Sequence, residues 1–184
     1  MREAQGVVWA MYETPWGRRR VGVCGQRLVA VDVPRLDDRS SGLADPSRDM
    51  RQMHEGETPA RDHEAAHRWA NALEAYFRGE RLSWDETDIS LDALEVGEFA
   101  RRVYAALLRV PAGTTVTYGE LAGRAGHPRA ARAVGSAMAG NPIPIVVPCH
   151  RVVRADGSLG CYGDDPRWKP ILLEHERRHR EVPR

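Results

Sequence analysis

The chain has 184 residues, of which 42% are hydrophobic and 29% are charged. These values are typical of a globular protein and exclude collagen-like, coiled-coil and wholly disordered classes. The 27 basic and 26 acidic side chains nearly cancel, but 26 of the basic residues are arginine and only Lys169 is lysine.

The length corresponds to one domain or two small ones. No apolar run approaches the ~18 residues of a membrane span, and residues 1–17 lack a signal-peptide core, so we expect a cytoplasmic protein without membrane contact. The three cysteines, Cys24, Cys149 and Cys161, have no CxxC spacing. This pattern disfavours a disulfide scaffold or a zinc finger and leaves thiols that could be free and reactive.

Residues 1–90 are predicted to form a small α/β domain. Short valine-rich segments separated by turn sequences are typical of an antiparallel meander. These segments are 6–12, 18–24 and 28–33. Residues 34–60 show little periodicity, which predicts a long surface loop or a partly ordered insertion. Apolar residues recur at three- and four-residue spacing over 63–77, which predicts an amphipathic helix ended by Gly79.

A domain boundary is predicted near residue 90, where the charge balance changes. Residues 1–90 carry a net charge of −3, from 13 arginines and 16 acids. Residues 91–184 carry +4, from 13 arginines, Lys169 and 10 acids. Within them, residues 101–154 hold 8 arginines and one acid, Glu120. A locally basic stretch is a candidate surface for a polyanion, although a salt-bridged solvent face is more common.

The second domain, residues 91–184, is predicted to be mostly helical. A helix over 99–108 precedes a second helix that begins at Thr117, whose spacing to Glu120 is that of a capping box, and runs to about residue 124. A third helix is predicted over 128–139, because Pro128 suits a first helical turn. Two short helices joined by a glycine-containing turn indicate a helix-turn-helix.

The third predicted helix is rich in small side chains. Its only long polar side chains are Arg129 and Arg132. A helix with so little bulk can approach another surface closely.

A thiol and an imidazole are adjacent at Cys149 and His150, after the apolar stretch 143–148. The thiolate is the reactive form of cysteine and a nearby base promotes it, so the pair is a candidate nucleophile. Neighbouring side chains of an extended segment point to opposite faces, so the two should not touch unless the chain turns there. A bridging water would connect them, and Glu174 or Glu176 could orient the imidazole. The alternative is a packing role for both.

The segment PCHRV at 148–152, preceded by GNPIPI at 140–145, resembles the active-site signature of the O6-alkylguanine-DNA alkyltransferases, also called methylated-DNA-protein-cysteine methyltransferases. Other segments are similar to the family's helix-turn-helix and its terminal helix. They are PAG at 111–113, TYGELA at 117–122, ARAVGSAM at 131–138 and LLEHE at 172–176. A weaker match, LxxYFxG at 73–79, extends the resemblance to roughly residues 70–176.

The resemblance implies single-turnover, irreversible transfer of an alkyl group from O6 of guanine in double-stranded DNA to Cys149, with O4 of thymine as an alternative donor. It assigns His150 and Glu176 to activating the thiol through a water. It assigns Tyr118 to protonating the leaving base. It implies no cofactor, and we expect a monomer.

The resemblance also implies that the target base is flipped out of the duplex. The helix with Arg132 would then lie in the minor groove, ~6 Å wide in B-DNA, and this side chain would fill the gap in the base stack. Further DNA contacts are assigned to Arg129, Arg151, Ala131 and Ser136. The pocket for the flipped base is assigned to Met138, Asn141, Val152, Tyr162 and Gly163.

The loop after the candidate active site departs from the family pattern, because it reads GCYGDDP over 160–166. Asp164 and Asp165 put two negative charges at the edge of the pocket. Cys161 is either a second reactive thiol or a small filler. Cys24 with His54, His63 and His67 suggests zinc, but this group has only one cysteine and no second ligand pair, so no metal is predicted.

Three other kinds of protein share parts of this pattern. A sensor of the alkyltransferase-like type would bind alkylated DNA without efficient transfer, but such proteins typically lack the cysteine. A helix-turn-helix regulator that is switched by alkylation of Cys149 would need a further DNA-binding domain. A cysteine hydrolase is the weakest alternative.

Overall fold

A computed structural model of the chain describes residues 6–33, 60–160, 162–163 and 165–180. The predicted loop over 34–60 lies outside the described residues except for Ala60, and so do Cys161 and Asp164. Within the described ranges, no helix is long and apolar enough to cross a membrane.

Three antiparallel strands, in the order β1-β2-β3, form a sheet in the first part of the chain, which confirms the predicted meander. They are β1 (Val8–Tyr12), β2 (Arg19–Cys24) and β3 (Arg27–Val31). In β1, Val8, Ala10 and Tyr12 are buried and alternate with half-buried residues, as expected of a sheet with one face on the core. Gly25 and Gln26 both have positive φ, which suits a two-residue hairpin turn between β2 and β3.

Helix α1 (Ala60–Phe77) packs against β1 and β2. Its buried side chains recur at three- and four-residue spacing and include Ala66, Ala70 and Leu73. Gly79 follows the helix with a φ of 78°, and its N–H donates to the Tyr76 carbonyl at 2.9 Å. The predicted amphipathic helix is therefore confirmed, with a start three residues earlier.

The second part of the chain is mostly helical, as predicted. Its helices are α2 (Glu98–Leu108), α3 (Tyr118–Arg124), α4 (Ala131–Ala139) and α5 (Trp168–His179). Short 3-10 helices occupy Leu91–Ala93 and Cys149–Arg151, and the parallel strands β4 (Val116–Thr117) and β5 (Val152–Val153) pair with each other. The capping box at Thr117 and Glu120 is present at the start of α3.

Helices α3 and α4 pack against each other and against α2, and they form the predicted helix-turn-helix. The predicted start of α4 at Pro128 is wrong. Residues 127–130 instead form a turn in which the Ala130 N–H donates to the His127 carbonyl at 2.9 Å. Proline is favoured at the second position of such a turn, so Pro128 and Arg129 precede the helix.

One hydrophobic core connects the two parts of the chain. It includes Val8 of β1, Leu73 of α1, Leu107 of α2 and Leu172 of α5. The two parts are also joined through the backbone, because the Val31 N–H donates to the Pro142 carbonyl at 3.0 Å. The domain boundary near residue 90 stays a prediction.

Replacing Gly79 should destabilise the protein. A Cβ at this position would clash with the His179 side chain, and the positive φ is unfavourable for alanine. We expect Gly79→Ala to lower the free energy of unfolding by more than about 1 kcal/mol in urea titrations. Gly119→Ala is the control, because a Cβ there meets nothing within 4 Å. Equal stability of the two variants would contradict this account.

Candidate active site

The chain turns sharply where it delivers Cys149. The Cys149 N–H donates to the Val147 carbonyl at 2.8 Å, and the Arg151 N–H donates to the Pro148 carbonyl at 2.9 Å. Ile145, just before this turn, is fully buried with a φ of 75°, a conformation uncommon for a β-branched residue. The extended path considered for Cys149 and His150 is therefore replaced by a turn.

The Asn141 side chain forms hydrogen bonds with both this loop and the thiol. Its Nδ2 donates to the Val147 carbonyl at 2.9 Å and to Cys149 Sγ at 3.2 Å. Its Oδ1 accepts from the Ile143 N–H at 3.1 Å. The side chain predicted to line a base pocket thus fixes the position of the candidate nucleophile.

The environment of Cys149 keeps the thiol protonated at rest. The side chain is buried, and burial raises its pKa because the anion loses solvation. Asn141, Tyr162 and Lys169 act in the opposite direction and favour the thiolate. Nucleophilic attack therefore requires a base that accepts the proton.

His150 has the arrangement of such a base. Its Nε2 lies 2.7 Å from Glu176 Oε1, and both side chains are fully buried. Since a carboxylate only accepts, Nε2 carries the hydrogen of this contact. Burial lowers the pKa of His150, while Glu176 raises it. In the neutral ring, Nδ1 keeps a lone pair, and this atom has no hydrogen-bond partner among the described residues.

Glu176 accepts hydrogen bonds from residues in separate parts of the chain. Its carboxylate accepts from His150, from the Arg151 guanidinium at 2.8 to 3.2 Å, from the Tyr76 hydroxyl at 3.1 Å and from the Gly113 N–H at 2.7 Å. Burial alone would raise the pKa of Glu176, but His150 and Arg151 outweigh it and hold the pKa well below its usual range. Glu174, the other candidate, is exposed and pairs with Arg178.

The assignment of Arg151 to DNA binding is wrong. Its side chain is 1% exposed, so it does not reach a surface that DNA could contact. Besides Glu176, the guanidinium donates to the Val110 carbonyl at 2.6 Å and to the Leu82 carbonyl at 2.7 Å. Arg151 therefore satisfies buried acceptors and neutralises Glu176.

Lys169 is a site residue that the sequence reasoning missed. It is 1% exposed, its Nζ lies 5.9 Å from the centroid of the Tyr118 ring, and its charge favours the Cys149 thiolate. Buried lysine is rare. The signal available in the sequence was that it is the single lysine in a chain rich in arginine.

The remaining predicted site residues are distributed around this centre. Tyr118 is the first residue of α3. Its hydroxyl oxygen lies near Gly160, since a Cβ placed on that glycine would be 3.7 Å from the oxygen. Tyr162 is buried, with its ring centroid 6.3 Å from that of His150. The others lie at three places: Met138 is half-buried on α4, Val152 is buried in β5, and Gly163 is exposed with a φ of 48°.

The exposed side of the helix-turn-helix carries the other predicted DNA contacts. Arg132 and Ser136 are exposed on α4, Ala131 is half-buried there, and Arg129 is exposed on the preceding turn. Neither Arg129 nor Arg132 forms an ion pair with another described residue, so their charges are available to a polyanion.

The departure at 160–166 is only partly described. The Asp165 carboxylate contacts the Arg167 guanidinium through two hydrogen bonds of 2.8 Å, so this charge is locally balanced. Among the described residues, no group of three or more His, Cys, Asp or Glu side chains could hold a metal ion.

Comparison with known proteins finds similar sequences and similar structures. Residues 98–178 match the family model described as 6-O-methylguanine DNA methyltransferase, DNA binding domain. A methylated-DNA-protein-cysteine methyltransferase of Mycolicibacterium paratuberculosis is 54% identical over 107 residues, 58% of this chain and 62% of that protein. The mouse protein of the same name is 48% identical over 111 residues, 56% of this chain and 51% of that protein. These alignments span about three fifths or less of the curated relatives.

Solved structures extend the similarity to nearly the whole chain. The crystal structure of Mycobacterium tuberculosis O6-methylguanine methyltransferase matches with a TM-score of 0.70 and 37% identity, covering 96% of each chain. A structure of the M. tuberculosis protein in complex with DNA matches with a TM-score of 0.69 and 34% identity, covering 93% of each chain. The small sheet, the helices and their order are therefore shared with these proteins.

Removing the charge of Glu176 should destabilise the protein in a pH-dependent way. We expect Glu176→Gln to cost about 3–5 kcal/mol of unfolding free energy at pH 7, because Arg151 is left buried without its counter-ion. The folded pKa of Glu176 lies below its ordinary value of 4.5, so its contribution is present above that pH and is lost as pH falls. The difference between variant and wild type should therefore shrink in urea titrations below about pH 4.5.

Glu174→Gln is the matched control on the same helix. Its exposed pair with Arg178 should contribute no more than about 0.5 kcal/mol. If Glu174→Gln lowered the free energy of unfolding as much as Glu176→Gln does, the buried carboxylate would have no special role in stability.

Proposed function

The chain belongs to the methylated-DNA-protein-cysteine methyltransferase family, and we propose that it repairs DNA by moving an alkyl group from O6 of guanine to Cys149. One observation carries the proposal. The buried thiol of Cys149 is held by Asn141 on the same turn as His150, and Glu176 orients that imidazole. This arrangement matches a cysteine nucleophile with an oriented base.

The proposed reaction begins with removal of the thiol proton. A water passes this proton from Cys149 to Nδ1 of His150, whose Nε2–H already donates to Glu176. The thiolate then attacks the alkyl carbon bound to O6, so that an S–C bond forms as the C–O bond breaks. The guanine anion that leaves takes a proton from the Tyr118 hydroxyl.

Buried positive charge supports both anionic species in this scheme. Lys169 lies against the Tyr118 ring and favours the Cys149 thiolate. In a site shielded from water, a fixed cation stabilises developing negative charge more strongly than it would in bulk solvent. The resulting thioether is stable, so each molecule acts once, without a cofactor. O4 of thymine is proposed as a second donor.

The target base must leave the duplex before the thiol can reach it. We propose that α4 enters the minor groove and that Arg132 fills the space left by the flipped base. The small side chains of α4 permit this approach, and Arg129, Ala131 and Ser136 supply further contacts. Binding through phosphates should weaken as salt increases. The proposal includes action as a monomer in the cytoplasm.

The transfer is tested by intact mass after incubation with duplex DNA that contains O6-methylguanine. A methyl group replaces the thiol proton, so we expect a gain of about 14 Da, which Cys149→Ser abolishes. Cys24→Ser is the control and should still gain mass. Tight binding of the damaged duplex with unchanged mass would instead identify a sensor of alkylated DNA.

The role of Arg132 is tested by comparing two substrates. Since base flipping costs a few kcal/mol, Arg132→Ala should slow repair of duplex DNA by roughly tenfold or more, and reaction with free O6-benzylguanine by less than about twofold. Arg68→Ala, an exposed arginine on α1, is the matched control and should leave both rates unchanged. Equal losses on the two substrates would mean that Arg132 does not act in flipping.

A further inference from the structure

Tyr76, a tyrosine in the first part of the chain, contacts the candidate active site through its hydroxyl. We propose that Tyr76 of α1 is a positioning residue that acts through Glu176 to keep His150 neutral and able to accept the thiol proton. The family model matches residues 98–178, and Tyr76 lies outside that range. The inference rests on the proposed function for its catalytic meaning, although the link between the three side chains can be measured without any substrate.

The contact is fully buried. The Tyr76 hydroxyl donates to Glu176 Oε1 at 3.1 Å, and the two residues are 100 positions apart. The same oxygen accepts from His150 Nε2 at 2.7 Å and from an Arg151 terminal nitrogen at 2.8 Å. Tyr76, His150 and Glu176 are each 0% exposed. A change at the phenol therefore acts on the oxygen that orients the imidazole.

Packing fixes the Tyr76 ring independently of its hydroxyl. The ring stacks on Trp84 with centroids 5.8 Å apart, and it meets Phe77 edge to face at 5.4 Å. The His175 ring lies 5.2 Å away. Tyr76→Phe therefore keeps these contacts and removes only the donor, so the phenol can be tested separately from the packing.

The direction of the effect follows from the groups around His150. Glu176 on α5 favours the imidazolium, whereas Lys169 on α5 and the adjacent Arg151 disfavour it, as burial does. Tyr162 and Cys149, whose side chains are also close, are uncharged at rest. By donating to Oε1, Tyr76 withdraws negative charge from the oxygen that faces Nε2–H. Tyr76 therefore lowers the proton affinity of His150, as Lys169 and Arg151 do.

A second contact ties the same region to the site. After α1 ends, the Leu82 carbonyl accepts from Arg151 at 2.7 Å. The segment from Tyr76 to Leu82 therefore joins one hydrogen-bond network at both residues, and this fixes the position of Tyr76 relative to Glu176. Residues before the matched range complete the set of groups that governs the proton acceptor.

The inference is tested first by NMR titration of the His150 ring in ¹⁵N-histidine-labelled protein, with the resonance assigned from His150→Gln. We expect Tyr76→Phe to raise the midpoint by about 0.5 to 1 pH unit, a three- to tenfold gain in proton affinity. Tyr12→Phe is the matched control, because Tyr12 is an equally buried tyrosine whose hydroxyl donates to the Asp32 carbonyl, within the sheet. It should leave the midpoint unchanged.

A second readout is the pH dependence of transfer from free O6-benzylguanine, which avoids DNA binding. The acid limb of the rate profile should move to higher pH in Tyr76→Phe, with no movement in Tyr12→Phe. Unchanged titration and an unchanged acid limb would overturn the inference, even if the overall rate fell. If the wild-type protein transfers no alkyl group, the proposed function is wrong. The His150 titration then still decides whether Tyr76 acts on the Glu176–His150 pair.

Discussion

The structure depends on a buried carboxylate that must be satisfied. An ionised glutamate away from water is strongly unfavourable unless it is paired and hydrogen-bonded. Glu176 is 0% exposed, and its donors come from α1, from the turn before β4 and from the 3-10 helix that follows Pro148. These segments are distant in sequence, so the fold must bring them together on α5 for the charge to be tolerated. That convergence fixes the orientation of the His150 imidazole next to Cys149, so the geometry proposed for accepting a proton follows from the requirement to satisfy one acid.

Arg151 has a different physical task from Arg129 and Arg132. Arg151 is buried, and its guanidinium is committed to Glu176 and two carbonyl groups. A planar group with several donors suits this task, because it can satisfy acceptors in different directions. Arg129 and Arg132 are exposed and form no ion pair with other described residues, so their charges are available to an external polyanion. The near-neutral composition conceals this division, since burial and not number decides which arginines are available.

Local features of the sequence were predicted well and long-range contacts were not. The Thr117 capping box and the helix ended by Gly79 depend on neighbouring residues, and both are present. Pro128 suits either the first turn of a helix or the second position of a turn, and the sequence alone does not decide between the two. Residue spacing alone left Glu174 and Glu176 as candidates, because it does not reveal which face of α5 is buried, and only the family resemblance assigned Glu176. The contact of Tyr76 with Glu176 spans 100 positions and leaves no local pattern.

The raised pKa of Cys149 agrees with the single reaction that is proposed for this thiol. The thiolate is the form that is oxidised or modified, so a thiol kept neutral by burial is protected while no substrate is present. Asn141 and Lys169 oppose the effect of burial without cancelling it, so the anion becomes accessible only when a base takes the proton. His150 can be that base because its own pKa is lowered by burial and it stays neutral. Burial thus has two coupled consequences, since the same shielding protects the proposed nucleophile and keeps its proposed proton acceptor neutral. A solvent-exposed pair would lose both, because water would stabilise the thiolate and the imidazolium alike.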